Sequence, residues 1–426
     1  MKNWSQFKTL KSLFMKTFIF LLLILTLGAF DSCQKNHYVS DNPDKVNQSE
    51  KTALLIEADN AFGLNLFLTI RNESKEENLL VSPFSVSVAL AMAYNGAGTE
   101  TKAEMEETMK LKGLTKEQIN KSYQKLISEL QSLDEKVVFE IANSLFYADG
   151  FSVKQEFMEV NSTVYDAEIK NLNFASPSAI ENINNWVNEK THGKIEKIIQ
   201  QLNPLDRMVL LNAIYFFGTW TQKFDEHGTR NLEFVKNDGT NLEVPMMNKL
   251  EKLPYLAEQE FKAIKIPYGN GQYTMVVILP GNEFTSREII GKLTAENWKT
   301  WMSDFEITER VDITMPRFKF AFESSLNNAL IAMGMQKAFL PETADFSGIS
   351  EEDLYISEIR HKAYIDVNET GTEAAAVTSV VFAATSMRDE PPVVPFFVNK
   401  PFIFAITENS TGAILFLGEV NHPEYN

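Results

Sequence analysis

Apolar residues recur at the three- and four-residue spacing of amphipathic helices over the first part of the chain. This spacing predicts helices over 53–70, 85–93 and 117–133. The second helix has a clear start, because Ser82 is a favourable cap residue and Pro83 stands where a missing N–H has no consequence. Gly96 and Gly98 are expected to end it.

From about residue 137 onward the pattern becomes that of β-strands. Apolar or alternating runs predict strands over 137–147, 208–217, 263–266, 273–279, 310–314, 363–367, 402–407 and 413–417. The run from Met208 to Phe217 is almost wholly apolar, which predicts a strand buried on both faces. Helical spacing returns over 179–190 and 325–333. Helices dominate the front and strands the back, so we expect an α+β fold with large, mostly antiparallel sheets.

The N-terminal residues have the order of a secretory signal. Four lysines are followed by an apolar run over 18–27 and by small residues directly before Cys33. The run is too short to span a membrane comfortably, so a signal peptide is predicted over 1–32. Cys33 is the only cysteine, and its place resembles the lipidated first residue of bacterial lipoproteins, although Phe30 stands where those signals usually have leucine. The alternative is ordinary cleavage near Ser32 with an incidental thiol.

A polar segment over 33–50 then suits a tether between an anchor and a domain. No internal repeat or interior linker follows, so 51–426 is predicted to be a single domain. The expected location is outside the cytoplasm, as a bacterial cell-surface or periplasm-facing lipoprotein. A secreted, extracellular protein is the alternative.

Composition narrows the classes of function. Of the 426 residues 44% are hydrophobic and 11% aromatic, which is enough for a large core. The net charge of −17 argues against a nucleic-acid partner, because such partners need a basic face. The five histidines do not fall in ligand spacings, so neither a metal nor a cofactor is predicted. No pairing of a nucleophile with a base is indicated, and we therefore do not expect an enzyme.

The most informative segment lies near the C-terminus, over 369–392. After Gly371 it contains neither glycine nor proline until Pro391, and it is rich in small and β-branched residues that favour strand. Extended, 372–385 spans about 45 Å, far more than a typical strand. Alternate residues, small first and large last, would share one face: Thr372, Ala374, Ala376, Thr378, Val380 and Phe382. The residues alone leave open a static core strand or an inert loop.

Several separated motifs resemble the serpin family, in order, over about 51–421. They are the runs that begin at Asn78, Asn143, Asn184, Thr191, Leu211, Val244, Met315 and Asn399. The resemblance implies the serpin fold, which has three β-sheets, eight or nine helices and an exposed reactive-centre loop. It also implies a monomeric suicide-substrate inhibitor of serine, or else cysteine, endopeptidases. The alternative is a non-inhibitory member that acts as a binding, carrier or structural surface protein.

The resemblance assigns 369–392 to the reactive-centre loop. The proximal hinge of that loop would comprise Glu369, Gly371, Thr372, Ala374, Ala375, Ala376 and Val377. Inhibitory members keep small residues there, and this sequence follows them. The family's usual spacing places the scissile bond at Thr385–Ser386, which would suit elastase-like or subtilisin-like proteases. Bonds after Met387 or Arg388 are alternatives, and a cut after Arg388 would suit trypsin-like enzymes.

The resemblance also marks residues beneath the opening of the main sheet. Ser82, Ser85, Asn212 and His361 match the family's shutter, a polar cluster whose hydrogen bonds re-form after the strands part. Trp220 matches the position where the loop first enters the sheet. For His361 alone the alternative is an ordinary core histidine, and for Trp220 it is plain core burial.

Overall fold

In the computed structural model, which describes residues 49–203, 206–372 and 390–425, helices pack against two hydrogen-bonded sheets. These residues lie within one compact unit that comprises 44–426. The nine α-helices of the described residues are α1 Glu50–Glu73, α2 Pro83–Tyr94, α3 Thr99–Thr108, α4 Lys116–Leu130, α5 Gln155–Tyr165, α6 Pro177–Lys190, α7 Ser286–Ile290, α8 Ala295–Ser303 and α9 Asn327–Ala332.

Fifteen strands occur in the same residues. They are β1 Leu79–Val81, β2 Val137–Ala148, β3 Glu168–Leu172, β4 Met208–Thr219, β5 Arg230–Val235, β6 Asn241–Ala257, β7 Phe261–Tyr268, β8 Tyr273–Pro280, β9 Glu306–Pro316, β10 Phe318–Ser325, β11 Arg360–Val367, β12 Gly371–Thr372, β13 Val394–Phe397, β14 Phe402–Glu408 and β15 Ile414–Val420.

The smaller sheet, called here the opening sheet, has six strands in the order β10-β11-β12-β4-β2-β3. All of its pairs are antiparallel except β2 with β3. Strands β4 and β2 pair over eleven residues, from Met208 opposite Tyr147 to Gly218 opposite Val137. The centre of the sheet is different, because β12 contributes only two residues between β11 and β4.

The other sheet has nine strands and joins two of the three sheets that the family resemblance implies. Its order is β1-β15-β14-β8-β7-β6-β9-β13, with β5 paired to β6. Strand β6 is 17 residues long and pairs with β5, β7 and β9. Its register against β9 shifts between Glu251 and Leu253, so one strand continues from one subsheet into the next. The predicted α+β fold is confirmed.

Helix α2 lies at the centre of the core and contacts both β4 and β15. Ser82 caps it by accepting the backbone N–H of Ser85, with Pro83 as its first residue, as the sequence predicts. Eleven of its twelve residues are buried. Helix α1 is long and apolar enough to cross a membrane by length and composition, but 56% of that window is buried inside the domain, as in a core helix.

The predicted helices and strands all appear, with shifted ends, but one prediction about burial is wrong. Strand β4 is only half-buried at Met208, Val209, Leu210, Tyr215 and Phe217. Its edge towards β11 is paired only at the two residues of β12, which leaves these side chains less covered than in a central strand with two full neighbours. The helix expected over 325–333 is shorter, because Ser325 still belongs to β10. Helix α1 begins at Glu50, within the last residues assigned to the tether.

Candidate functional site: the hinge and the opening of the sheet

A tight turn over 368–371 returns the chain into the opening sheet after β11. Asn368 and Gly371 exchange backbone hydrogen bonds of 2.9 and 3.3 Å. The Asn368 side chain accepts from the N–H and the hydroxyl of Thr370 at 3.0 and 2.6 Å. Gly371 has φ +155°, and a Cβ there would lie 2.0 Å from the carbonyl oxygen of Gly218. Only glycine therefore fits at this point of the hinge.

Thr372 is already part of the sheet. It pairs with Gly218 of β4 on one side and with Val367 of β11 on the other. Its side chain is 3% exposed, and its hydroxyl lies 2.6 Å from that of Tyr268. Burial raises the pKa of the Tyr268 phenol, so this group stays a neutral partner.

Trp220 covers the same corner. Its ring stacks on Tyr268 with centroids 4.3 Å apart and 14° between planes. Its indole N–H donates to the carbonyl of Asn368 at 2.9 Å, and its backbone N–H donates to the carbonyl of Thr370. Trp220 is thus a buried core residue that also hydrogen-bonds the turn.

Glu369 fixes the outer side of the turn. Its carboxylate accepts from Nε of Arg317 at 2.7 Å and from the hydroxyl of Thr229. The Glu369 side chain is 4% exposed and that of Arg317 is 27% exposed. A buried carboxylate needs such partners, so the turn is held by charge as well as by backbone bonds.

A second polar group, which we call the lower cluster, comprises Ser82, Ser85, Asn143, Asn212 and His361. The backbone N–H of Ser82 donates to Nε2 of His361 at 3.2 Å, and its hydroxyl donates to the carbonyl of Leu415 at 2.7 Å. The Ser85 hydroxyl donates to Oδ1 of Asn212. The Asn212 amide donates to Oδ1 of Asn143 at 2.6 Å across the β2–β4 pair.

The lower cluster spans both sides of the opening. His361 belongs to β11 and Asn212 to β4, and both are held by residues at the start of α2. Burial lowers the pKa of His361 to about 4, so its ring is neutral and accepts through Nε2.

His361 on β11 and Asn212 on β4 lie equally far along their strands from Thr372. His361 stands six residues before Val367, and Asn212 six before Gly218, which are the two positions that Thr372 joins. Among the described residues no ladder joins β4 and β11 other than through β12. Below Thr372 the two strands therefore adjoin each other with no described strand between them and no ladder that joins them, and we call this boundary the gap.

The structure brings Ser82, Ser85 and Asn212 into one hydrogen-bonded group, attaches His361 to it, and places Trp220 with Glu369, Gly371 and Thr372 at the other end of the gap. The remaining predicted positions lie outside the described residues: Cys33, Ala374, Ala375, Ala376, Val377, Thr385, Ser386, Met387 and Arg388.

Sequence reasoning missed four residues of this site: Asn143, Thr229, Tyr268 and Arg317. Asn143 and Arg317 lie in runs recognised for other reasons, but their partners are 69 and 52 positions away. Only the strand register brings such residues together. The sequence carries no signal for Tyr268 or Thr229.

Comparison with known proteins identifies the family. A family model described as serpin (serine protease inhibitor) matches residues 57–423. The chain belongs to the serpin family. It is 34% identical to human Serpin B8 over 376 residues, which are 87% of this chain and 99% of that protein. It is 33% identical to intracellular coagulation inhibitor 2 of Tachypleus tridentatus over 406 residues, which are 93% and 97% of the two chains.

Solved serpin structures have the same architecture. Native tengpin, a thermophilic serpin, superposes with a TM-score of 0.80 at 35% identity and covers 89% of this chain and 96% of its own. Human thyroxine-binding globulin complexed with thyroxine superposes with a TM-score of 0.79 at 30% identity, over 88% and 100% of the two chains. The predicted serpin fold is confirmed, while these relatives differ in what their names say they do.

Proposed function

We propose that this serpin is a suicide-substrate inhibitor of serine endopeptidases, with cysteine endopeptidases as a second class of target. The observation that carries the proposal is the place of Thr372, which forms the first rung of a strand between β11 and β4. The strand stops there among the described residues, while its neighbours continue for seven residues on β11 and ten on β4 before they end.

The register supports insertion of the rest of the loop. If β12 continues in the same register, position 374 pairs with Phe216 and Ile365, and position 376 with Ile214 and Ala363. These four neighbours are buried. Ala374 and Ala376 are small enough to enter between them without a steric barrier, which is the composition expected of an inhibitory hinge.

The mechanism follows from cleavage. The nucleophile of the protease attacks the carbonyl of residue 385, the amine of Ser386 leaves, and an ester joins the loop to the protease. The released segment then adds as a strand between β11 and β4 and gains backbone hydrogen bonds on both edges. The acylated protease is carried with it and distorted before the ester is hydrolysed, so proteolysis releases energy stored in the uncleaved fold.

The sequence around the proposed scissile bond sets the target class. Ala383, Ala384 and Thr385 favour proteases with small primary pockets, of elastase-like or subtilisin-like type. A trypsin-like target would use Arg388 instead. In this proposal the serpin acts as a monomer and needs no cofactor.

The test is to incubate the purified protein with elastase, subtilisin and trypsin in separate reactions. Denaturing gels then show any covalent complex, and mass spectrometry of the released C-terminal peptide identifies the bond cut. A complex that survives denaturation with at least one protease is expected, with a peptide that begins at Ser386. Complete cleavage within 373–389 by every protease, with no complex from any of them, contradicts the inhibitor proposal.

A second candidate is a non-inhibitory carrier. Thyroxine-binding globulin, a similar structure, is named for binding thyroxine. The present chain has an open groove of about 560 Å³ between α1 and α8, with Trp298, Met302 and Ile56 among its apolar walls. Cleavage without a complex in the same experiment favours this candidate.

We further propose that the protein is exported and anchored through a lipidated Cys33, on the sequence pattern alone. Expression in a bacterial host with labelled fatty acid tests this. The label is expected on the wild type and not on Cys33→Ser, and a wild type without label contradicts the anchor.

A further inference from the structure

The segment that follows β15, which we call the tail and which comprises 421–425, runs along the outer edge of the opening sheet. Its start is fixed by Asn78, whose side chain accepts the backbone N–H of Asn421 at 2.9 Å. The backbone N–H of Lys319, on the edge strand β10, then donates to the carbonyl of Glu424 at 2.8 Å. An edge strand has backbone groups without a partner strand, and the tail covers one of them. The tail is therefore attached to the domain at two points.

Tyr425 lies at the end of this path, against the side chain that holds the turn over 368–371. Its ring centroid is 5.4 Å from Cζ of Arg317 and 5.4 Å from Nζ of Lys319. A cation at this distance is attracted to the face of an aromatic ring. The guanidinium of Arg317 also binds the carboxylate of Glu369. Arg317 thus contacts the turn and the tail at once.

The hydroxyl of Tyr425 reaches the turn directly. The side-chain amide of Asn368 donates to it at 3.4 Å. The oxygen of the same amide accepts from the N–H and the hydroxyl of Thr370, so both ends of the Asn368 side chain are engaged. The 3.4 Å bond is long, and we therefore expect the contact of the ring with Arg317 to contribute more than the hydroxyl does.

We propose that Tyr425 is a positioning residue for the base of the reactive-centre loop: it holds Arg317 on Glu369 and keeps the turn closed. The consequence for inhibition rests on the proposed function, whereas the effect on the turn does not. A loosened turn lets β4 and β11 part at the head of the gap, where Thr372 joins them. The tail therefore sets how long the uncleaved inhibitor remains active.

Hydrogen exchange of the full chain tests the contact with the turn. Tyr425→Ala is expected to speed exchange of the backbone amides over 368–372 by about fivefold and to leave those of β8, in the core, unchanged. Tyr425→Phe keeps the ring and should stay within about twofold of the wild type. Glu424→Ala is the matched control, with the same limit, because it removes the neighbouring side chain but keeps the carbonyl that accepts from Lys319.

A double variant tests whether Tyr425 acts through Arg317. Glu369→Gln removes the charge that Arg317 binds. If Tyr425 acts by holding Arg317 on Glu369, adding Tyr425→Ala to Glu369→Gln should speed exchange by no more than about twofold over Glu369→Gln alone. Effects that multiply in full would overturn this route. If Tyr425→Ala fails to fold, Tyr425→Leu takes its place, because leucine keeps apolar cover without an aromatic face.

Storage of the same variants, followed by titration with a protease that the wild type traps, measures the consequence for inhibition. Tyr425→Ala is expected to lose inhibitory activity at least about threefold faster than the wild type, and Glu424→Ala at the wild-type rate. Unchanged exchange over 368–372 in Tyr425→Ala overturns the positioning role, and faster exchange with an unchanged rate of loss overturns its consequence for inhibition. A wild type that traps no protease contradicts the proposed function, while the exchange result still decides whether Tyr425 holds the turn.

Discussion

Arg317 holds the carboxylate of Glu369 at the mouth of the gap, with its Nε 2.7 Å and its Nη2 2.5 Å from Oε1. Arg317 connects β9 with β10, whereas Glu369 lies in the turn that leads into β12. The pair therefore ties the start of the loop to the edge of the opening sheet.

Glu369→Gln should weaken this tie. The amide keeps the shape of the side chain but removes the charge that Arg317 binds, at a cost of about 1–3 kcal/mol. We expect a lower midpoint of urea unfolding and a faster spontaneous loss of inhibitory activity on storage. Unfolding followed by fluorescence, together with titration of residual inhibition over days, measures both.

Glu309→Gln provides the control, because Glu309 forms an exposed ion pair with Lys252 at 2.6 Å on the neighbouring strands. Exposed ion pairs contribute little to stability, so Glu309→Gln should change the free energy of unfolding by less than about 0.5 kcal/mol. Equal effects of the two substitutions would show that Glu369 has no special role at the gap.

Local patterns predicted the elements with strong periodicity and missed those without it. Helix α3 has only three buried residues in a polar sequence, so no apolar face marks it. Strand β6 contains Pro245, Pro254 and long polar stretches, so its sequence pattern does not predict a single strand. Its length is set by pairing with β5, β7 and β9, which no local pattern records.

The candidate site likewise contains residues that the sequence indicated and contacts that only the three-dimensional pairing reveals. The family resemblance assigned Gly371 and Thr372 to the hinge, and in the structure both lie at the head of the gap. The contact between Thr372 and Tyr268 joins residues 104 positions apart, and no spacing rule predicts it.

Thr372→Arg should convert the inhibitor into a substrate. Thr372 is buried against Tyr268, and a guanidinium there has no carboxylate to pair with inside the sheet. Insertion then becomes slower than hydrolysis of the ester. We expect the fraction of protease trapped as a complex to fall at least about tenfold, a ratio that corresponds to 1.4 kcal/mol between the two competing steps.

Thr372→Ser retains the hydroxyl that contacts Tyr268 and should preserve the ratio of complex to cleaved product. Densitometry of denaturing gels gives this ratio for each variant. If Thr372→Arg traps protease as well as Thr372→Ser does, insertion through this hinge is excluded.

The buried carboxyl group of Asp59, in α1, should make the folded protein less stable as the pH rises from about 4 to 7. Burial raises its pKa from 3.8 to about 7, although the hydroxyl of Tyr123 donates to it at 2.7 Å. Because the folded protein holds this proton more tightly than the unfolded chain, the stabilisation is complete below pH 3.8 and is lost by about pH 7. The loss is on the order of 4 kcal/mol.

Asp59→Asn should remove this dependence and melt at a higher temperature than the wild type at pH 8. Asp345 offers a contrast of opposite sign, because hydrogen bonds from Ser347 and Thr99 lower its pKa. Asp345→Asn should therefore lower the melting temperature at pH 8, with a difference that shrinks in acid. Identical pH profiles for the wild type and Asp59→Asn would exclude a buried, titrating carboxyl at this position.

His361, in the lower cluster, should cause a second loss of stability, in this case as the pH falls. Burial lowers its pKa from 6.5 to about 4, so the folded protein binds this proton less tightly than the unfolded chain. Its contribution is complete above pH 6.5 and is lost as the pH falls to about 4, by an amount on the order of 3 kcal/mol. Protonated Nε2 would no longer accept the N–H of Ser82, and the bond that attaches β11 to the start of α2 would break.

We therefore expect the opening sheet to part more readily as the pH falls from 6.5 to 4, measured as a faster spontaneous loss of inhibitory activity on storage. His361→Gln should flatten the rate in this window, because the amide oxygen accepts the same N–H without titrating. His227→Gln, at an exposed histidine that belongs to neither strand of the gap, should leave the acid-induced rate unchanged. If His361→Gln keeps the full acid acceleration, the opening is controlled by a group outside the lower cluster.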